Sequence, residues 1–177
     1  MNAEPPADAM YLLLVTGDAM FKDNRISAGV LAHVKEAMGH VPDGGLLIYD
    51  DGIGGPAWCA SKMAEWGDVY RICYKADGRR WGFTGRIPFG QDAWWPHMSF
   101  PDPCSMAIEM VRRACRARHD GWTVRGLIYH AWSPVGLADA TREAWDHLLP
   151  PAWCLSSDVS TTGEILPRTH PQSGVTA

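Results

Sequence analysis

No Cys-x-x-Cys pair occurs in this chain. Its five cysteines, Cys59, Cys73, Cys104, Cys115 and Cys154, are odd in number and widely spaced. This excludes a disulfide frame and a zinc knuckle, and reads as reduced thiols in a cytoplasmic protein. No apolar run approaches the roughly 20 residues that span a bilayer. The first ten residues lack a basic segment followed by an apolar one. Neither secretion nor membrane insertion is expected. An excess of positive charge is also missing. Net charge is −4, which argues against a broad nucleic-acid footprint; Arg112 to Arg118 form only a local basic face. We find no internal repeat.

What is present is the composition of a globular chain. Of 177 residues, 46% are hydrophobic and 20% charged, enough for one domain with a sizeable core. Nine tryptophans are unusual, and suit core or lid packing.

The chain reads as alternating strands and helices. Residues 1–9 form a loose arm. Met10 to Thr16 is short and continuously apolar, as in a strand buried on both faces. A helix is expected from Arg25 to Gly39, with Ile26, Val30, Leu31, Val34 and Met38 on one side. A second strand runs through Leu46-Leu47-Ile48-Tyr49 into Asp50-Asp51-Gly52-Ile53-Gly54-Gly55-Pro56. Pro56 suits the first turn of the next helix, which runs to about Trp66. Asp68 to Tyr74 alternates as a third strand. Residues 76–105, rich in Gly, Pro and aromatics, read as an insertion or lid. A helix follows from Met106 to Arg118, with Ser105 as its cap and Arg112, Arg113, Arg116 and Arg118 largely outward. Thr123 to His130 is a fourth strand, Ser133 to Gly136 a turn, Ala138 to Trp145 a helix. Ala152 to Ser156 is a short fifth strand, and 157–177 a tail.

This order implies an α/β fold, a Rossmann-like three-layer sandwich with a mostly parallel sheet of four to five strands. It makes one domain over residues 10–156. Its centre is the glycine turn after the second strand. Such a junction lies where ligands bind in open α/β sheets. Glycines admit close approach, and the following helix aims free N–H groups and a positive dipole end there.

Three stretches resemble the YspA/YpsA-related branch of the SLOG superfamily, a group with many bacterial and phage members. Leu14-Val15-Thr16-Gly17-Asp18 with Asp23 resembles its opening strand and Gly-Ser-Arg turn. Leu47 to Gly67 resembles its strand, His-Gly-Gly-x-x-Gly-x-Asp turn and helix. Ser133-Pro134-Val135-Gly136-Leu137-Ala138-Asp139-Ala140 resembles the turn and helix that close its pocket. The resemblance covers roughly Tyr11 to Ser156. It implies a Rossmann-like domain that binds a nucleotide-derived ligand, and a homodimer. The chain departs from the pattern at Asp18-Ala19 in place of Ser-Arg, and at Tyr49-Asp50-Asp51 in place of His-Gly-Gly. Gly54 keeps a family glycine; the family's Asp falls on Pro56, and its Arg-Asn pair near Met106-Ala107. The Pro-Gly-Gly-x-Gly-Thr motif of the nucleoside-monophosphate-cleaving branch is missing.

The expected ligand-binding set is Gly17, Asp18, Asp50, Asp51, Gly52, Gly54, Gly55, Ser133, Pro134, Gly136 and Asp139, with His130 near the rim. Helix N-termini offer N–H groups to an anion. The acids would accept ribose hydroxyls or base N–H groups, or hold Mg²⁺, a candidate cation; no other cofactor and no metal-ligand spacing is apparent. Asp50 and Asp51 also fit as simple caps. Catalytic candidates are Asp50, Asp51 and Asp139. Cys59 and His130 read better as packing residues, and Ser133 lacks a Gly-x-Ser-x-Gly context. Trp94-Trp95-Pro96-His97 would cover a ligand or pack. Three functions remain open: binding of a nucleotide or nucleotide-derived molecule by a sensor or sequestering protein; hydrolysis of an N-glycosidic or phosphate bond; a degenerate fold serving as an interaction module.

Overall fold

The computed structural model describes residues 10–18, 24–39, 45–50, 56, 59, 70–74, 102–131 and 137–168. Strands β1 (Tyr11–Gly17), β2 (Leu46–Asp50), β3 (Tyr70–Tyr74), β4 (Thr123–His130), β5 (Cys154–Val159) and β6 (Ile165–Pro167) form one sheet. Helices α1 (Asn24–Met38), α2 (Pro103–His119) and α3 (Leu137–Leu148) complete the described elements, with a single 3₁₀ turn at Pro151–Trp153. The strand order is β3-β2-β1-β4-β5-β6. Every pairing is parallel except β5 with β6. The Rossmann-like α/β class expected from the sequence is what the chain adopts, with a sixth strand added.

The apolar run of β1 is continuous because both sheet faces are covered. Leu12 and Leu14 join Leu46, Ile48, Val124 and Ile128 in a core with Met110, Val111, Ala114 and Trp145 of α2 and α3. Leu13 and Val15 face the other way, with Leu47, Leu127 and Tyr129, against Val30 and Val34 of α1. One strand thus serves two cores through its two-residue period.

Several boundaries differ from the sequence expectation. α2 starts at Pro103, and its cap is Asp102, whose carboxylate accepts from the Ser105 backbone N–H at 2.8 Å. The Ser105 hydroxyl donates to the second oxygen of Asp102, also at 2.8 Å. Proline at the first helical position loses no bond, so Asp102-Pro103 begins the helix three residues before the expected start, and Ser105 is a donor to the cap. Arg113 is not outward but 3% exposed. Arg116 reaches Glu109, which is buried, at 2.8 Å. The expected tail begins inside the sheet: β5 runs on to Val159, and β6 returns beside it. The turn between them forms because the Ser160 hydroxyl accepts from Thr162 and Glu164 N–H groups while Gly163 takes φ of 86°, a region glycine enters without a Cβ penalty.

Two further contacts fix the α3 side. Arg142, buried, donates to the carbonyls of Cys154 at 2.9 Å and Pro151 at 3.2 Å, and pairs with Asp146. It satisfies backbone acceptors where the chain turns into β5. Trp145, fully buried, donates its indole N–H to the Pro150 carbonyl at 3.0 Å. Its ring lies over Gly126, where a Cβ would stand 2.7 Å from Cζ3.

Candidate functional site

In this strand order the chain leaves β1 in one direction and β4 in the other. The crevice outside the carboxyl ends of β1 and β4 is therefore the topological switch point, where open α/β sheets receive ligands. Gly17 and Asp18 stand at the end of β1, His130 and Ala131 at the end of β4. The first turn of α3, with Leu137, Ala138 and Asp139, lies alongside.

Gly17 has a steric role here. An added Cβ would lie 2.5 Å from the Tyr129 carbonyl oxygen and 2.9 Å from the Pro56 ring. Pro56 and Cys59 are helical and buried. The end of β1 is thus wedged between Tyr129 of β4 and Pro56, and only glycine fits.

Asp18 is 5% exposed. One carboxylate oxygen accepts from Ala138 N at 3.0 Å, the other from Ala131 N at 3.1 Å. Its own N–H continues the sheet to the Tyr129 carbonyl at 3.0 Å. A single side chain thus holds the end of β4 and the start of α3, satisfying one of the donors a helix leaves free.

His130 is 4% exposed and surrounded by charge. Its Nδ1 lies 2.7 Å from Arg168 Nη1 and 3.1 Å from Asp139 Oδ1. Arg168, just after β6, also reaches Asp139 at 3.2 Å and, through Nε, Asp158 at 3.3 Å. A guanidinium can only donate. The short Arg168 contact therefore makes Nδ1 an acceptor and places the ring hydrogen on Nε2, with Asp139 taking its hydrogen bond from Arg168. Nε2 is buried and has no partner among the described residues. A buried donor left so costs about 1–3 kcal/mol.

Burial is the main cause that lowers the His130 pKa, and the Arg168 charge adds to it, against Asp139, Asp18 and Asp158, which act in the opposite direction. The folded pKa thus lies below the ordinary 6.5. The stability tied to neutral His130 is complete above that ordinary value, and is lost as pH falls through the folded pKa. Arg168→Gln removes the cation and leaves the three acids. The expected result is an upward shift of the His130 titration, followed by NMR of the imidazole C–H signals. A wild-type His130 titrating at or above 6.5, or no upward shift in the variant, would contradict this arrangement.

The other expected site residues are distributed as follows. Asp139 is in the first turn of α3 with its side chain 75% exposed and paired to Arg168. Asp50 closes β2, its backbone in register with Tyr74. Asp51, Gly52, Gly54, Gly55, Ser133, Pro134 and Gly136 lie outside the described residues, as does the Trp94-Trp95-Pro96-His97 run. So the structure brings together Gly17, Asp18, His130 and Asp139. The Cys59 thiol is pushed up to about 11 by burial, which keeps it protonated and un-nucleophilic near neutral pH. Cys59, Cys104, Cys115 and Cys154 are free thiols. Among the described residues, no three His, Cys, Asp or Glu side chains are grouped to hold a metal ion, and no helix is long and apolar enough to cross a membrane.

Sequence reasoning missed Arg168 and Asp158, because both fell in the stretch read as a tail. The signal was there: Thr161-Thr162-Gly163 is a turn, and Ile165-Leu166 a short apolar run after it. A separate cavity of about 390 Å³ lies toward the opposite end of the sheet, lined by Tyr11, Leu13, Leu127, Trp153 and Leu155, with Arg125 at its edge. Its walls are mostly apolar and bring no set of polar groups together, so the switch point is the better candidate. No protein-family model and no curated protein matches the chain.

Proposed function

We propose that this chain binds a nucleotide or nucleotide-derived small molecule outside the carboxyl ends of β1 and β4, as a sensor or sequestering protein of SLOG type. The observation that carries the reading is the strand order, which puts the switch point between Gly17-Asp18 and His130-Ala131. The Gly52–Gly55 and Ser133–Gly136 loops would supply the rest of the site. The free thiols suit a reducing, cytoplasmic setting.

Binding is favoured over hydrolysis by the state of the two acids whose side chains are described, Asp18 and Asp139. Both Asp18 oxygens hold backbone amides, and Asp139 is paired with Arg168 at an exposed position. Asp18, though buried, is committed to backbone amides, and Asp139 is exposed and ion-paired, so neither is a free, desolvated carboxyl of the kind that acts as a general acid or base. The three described tryptophans form no exposed patch of the kind an interaction module would present: Trp122 and Trp145 are buried in the core, and Trp153 is half-buried under the guanidiniums of Arg118 and Arg125 at 5.0 and 5.3 Å.

A thermal-shift panel tests the reading. Nucleosides, nucleotides, cyclic nucleotides and ADP-ribose derivatives are offered with and without Mg²⁺. A ligand at 100 times its Kd is expected to stabilise the fold by about 2.7 kcal/mol, a clear rise in Tm. A flat response across the panel removes the proposal.

A further inference from the structure

We infer that β6 is an acid-released strap: neutral His130 holds Arg168, and with it the last strand, against β5, and protonated His130 lets both go. The inference goes beyond ligand binding and holds whatever the switch-point crevice receives.

β6 has little of its own to hold it. It is three residues long, stands at the edge of the sheet, and has Leu166 and Pro167 exposed, so it buries little apolar surface. The chain ties it down just past its end. The Arg168 backbone N–H donates to the Ser156 carbonyl at 2.8 Å. The Arg168 side chain then reaches Asp158 of β5 through Nε, and Asp139 of α3 and His130 of β4 through Nη1. One guanidinium thus grips β4, β5 and α3.

His130 is the part of this grip that a proton can reverse. Its Nδ1 has two partners in place, Arg168 Nη1 at 2.7 Å and Asp139 Oδ1 at 3.1 Å. They demand opposite things of it. Toward Arg168 it must offer a lone pair, since a guanidinium only donates. Toward Asp139 it must offer a hydrogen. The neutral ring, with its hydrogen on Nε2, accepts from Arg168. The protonated ring carries hydrogen on both nitrogens, and two donors then face each other across 2.7 Å. Nδ1–H bonds to Asp139 with no movement of the ring, and Arg168 loses both Nη1 partners. What remains is its contact with Asp158, 3.3 Å between side chains 39% and 50% exposed, a kind of surface pair that contributes little.

Among the described residues, the charged groups facing His130 are Asp18 from β1, Asp139 from α3, Asp158 from β5 and Arg168 beyond β6. Trp132 to Gly136, which follow Ala131, contain no ionisable side chain. Arg168 is the cation of the group, so its departure leaves acids alone around the imidazolium. Protonation and release therefore favour each other, the reciprocity of any two linked equilibria. The released state has the higher His130 pKa, so release grows as pH falls through that value.

Amide exchange followed by NMR tests this on the full chain between about pH 8 and 5, the span over which histidine switches. Rates are expressed as protection factors, so that the pH dependence of the exchange chemistry cancels. Protection of the residue-168 amide is expected to fall about 10-fold toward the acid end, within the range of 5–150-fold typical of coupled sites. The Thr123 amide, bonded to the Met10 carbonyl at the other end of the sheet, should change less than about 2-fold, as a separate local unit does. His130→Asn keeps an acceptor near the Nδ1 position and removes the titration, so its residue-168 protection should stay level. Arg168→Gln removes the grip itself, so protection should be low already at the alkaline end and level; this arm decides the matter if the asparagine variant does not fold. Level protection in the wild type overturns the inference. So does the wild-type acid loss persisting in either variant, or an equal loss at Thr123, which is loosening of the whole fold.

Discussion

Trp145→Ala is expected to lower the folding free energy by about 4 kcal/mol, within the range of roughly 3–5 for a fully buried tryptophan. Domains of this kind are held by only about 5–15 kcal/mol, so the variant should unfold at a far lower urea concentration. The cost has two sources. The ring fills the layer between α3 and β4, and its removal leaves a cavity. The Pro150 carbonyl also loses its indole donor. The reciprocal change tests the same packing. Gly126→Ala places a methyl 2.7 Å from Trp145 Cζ3 and 3.0 Å from Cys154 Sγ, an overpacking that costs about 1–3 kcal/mol. If the clash is with the indole, Gly126→Ala should cost much less in a Trp145→Leu background. A loss under about 1 kcal/mol for Trp145→Ala, or fully additive costs in the pair, would show that this layer is not packed as described.

What the sequence made legible was what repeats with a short period. The β1 run from Leu12 to Val15 could be read as doubly buried, and it is, with alternate residues in two cores. Thr123 to His130 was legible to the residue, since Val124, Leu127 and Ile128 lie between Gly121 and the turn-forming sequence Ser133-Pro134-Val135-Gly136. Local competition was harder. Asp102 and Ser105 are both good caps, and the choice turned on Pro103, which tolerates only the first turn. Arg113 was read outward from its charge, although its position one turn after Met110 and Glu109 puts it at the margin of the buried face.

The site was legible only as a neighbourhood. Gly17 and Asp18 were picked out as ligand residues because they follow a strand. Nothing local tells that Gly17 is pinned by Pro56 and Tyr129, or that Asp18 finds its partners 113 and 120 residues further along the chain. Such bonds depend on which strands are neighbours, and the β1–β4 pairing is the step that propensity does not encode. The same holds for Arg168, whose use depends on β6 folding back along β5. Acids in a predicted pocket are ambiguous for this reason: a carboxylate that anchors backbone and one that greets a ligand look alike until the sheet order is known.

Asp18→Ala separates those two roles. If the carboxylate is an anchor, the ligand-free protein should lose about 3 kcal/mol, since two hydrogen bonds to a charged acceptor go and two N–H groups in a buried setting are left unpaired. The exchange of the Ala131 and Ala138 amides with solvent should quicken first, because the break frees the end of β4 from the start of α3 before it reaches the core. Asp18→Asn keeps one acceptor oxygen but turns an NH₂ toward the second N–H, so it should fall between wild type and alanine. If Asp18 served only a ligand, the ligand-free alanine variant would match wild type within about 0.5 kcal/mol, as a surface change does. The exchange data decide a further point. Loosening confined to Ala138 would mean that the α3 cap alone depends on Asp18. Loosening of Ala131 as well means that the His130 side of the crevice is held by the same carboxylate, and that the shape of the site is set from β1.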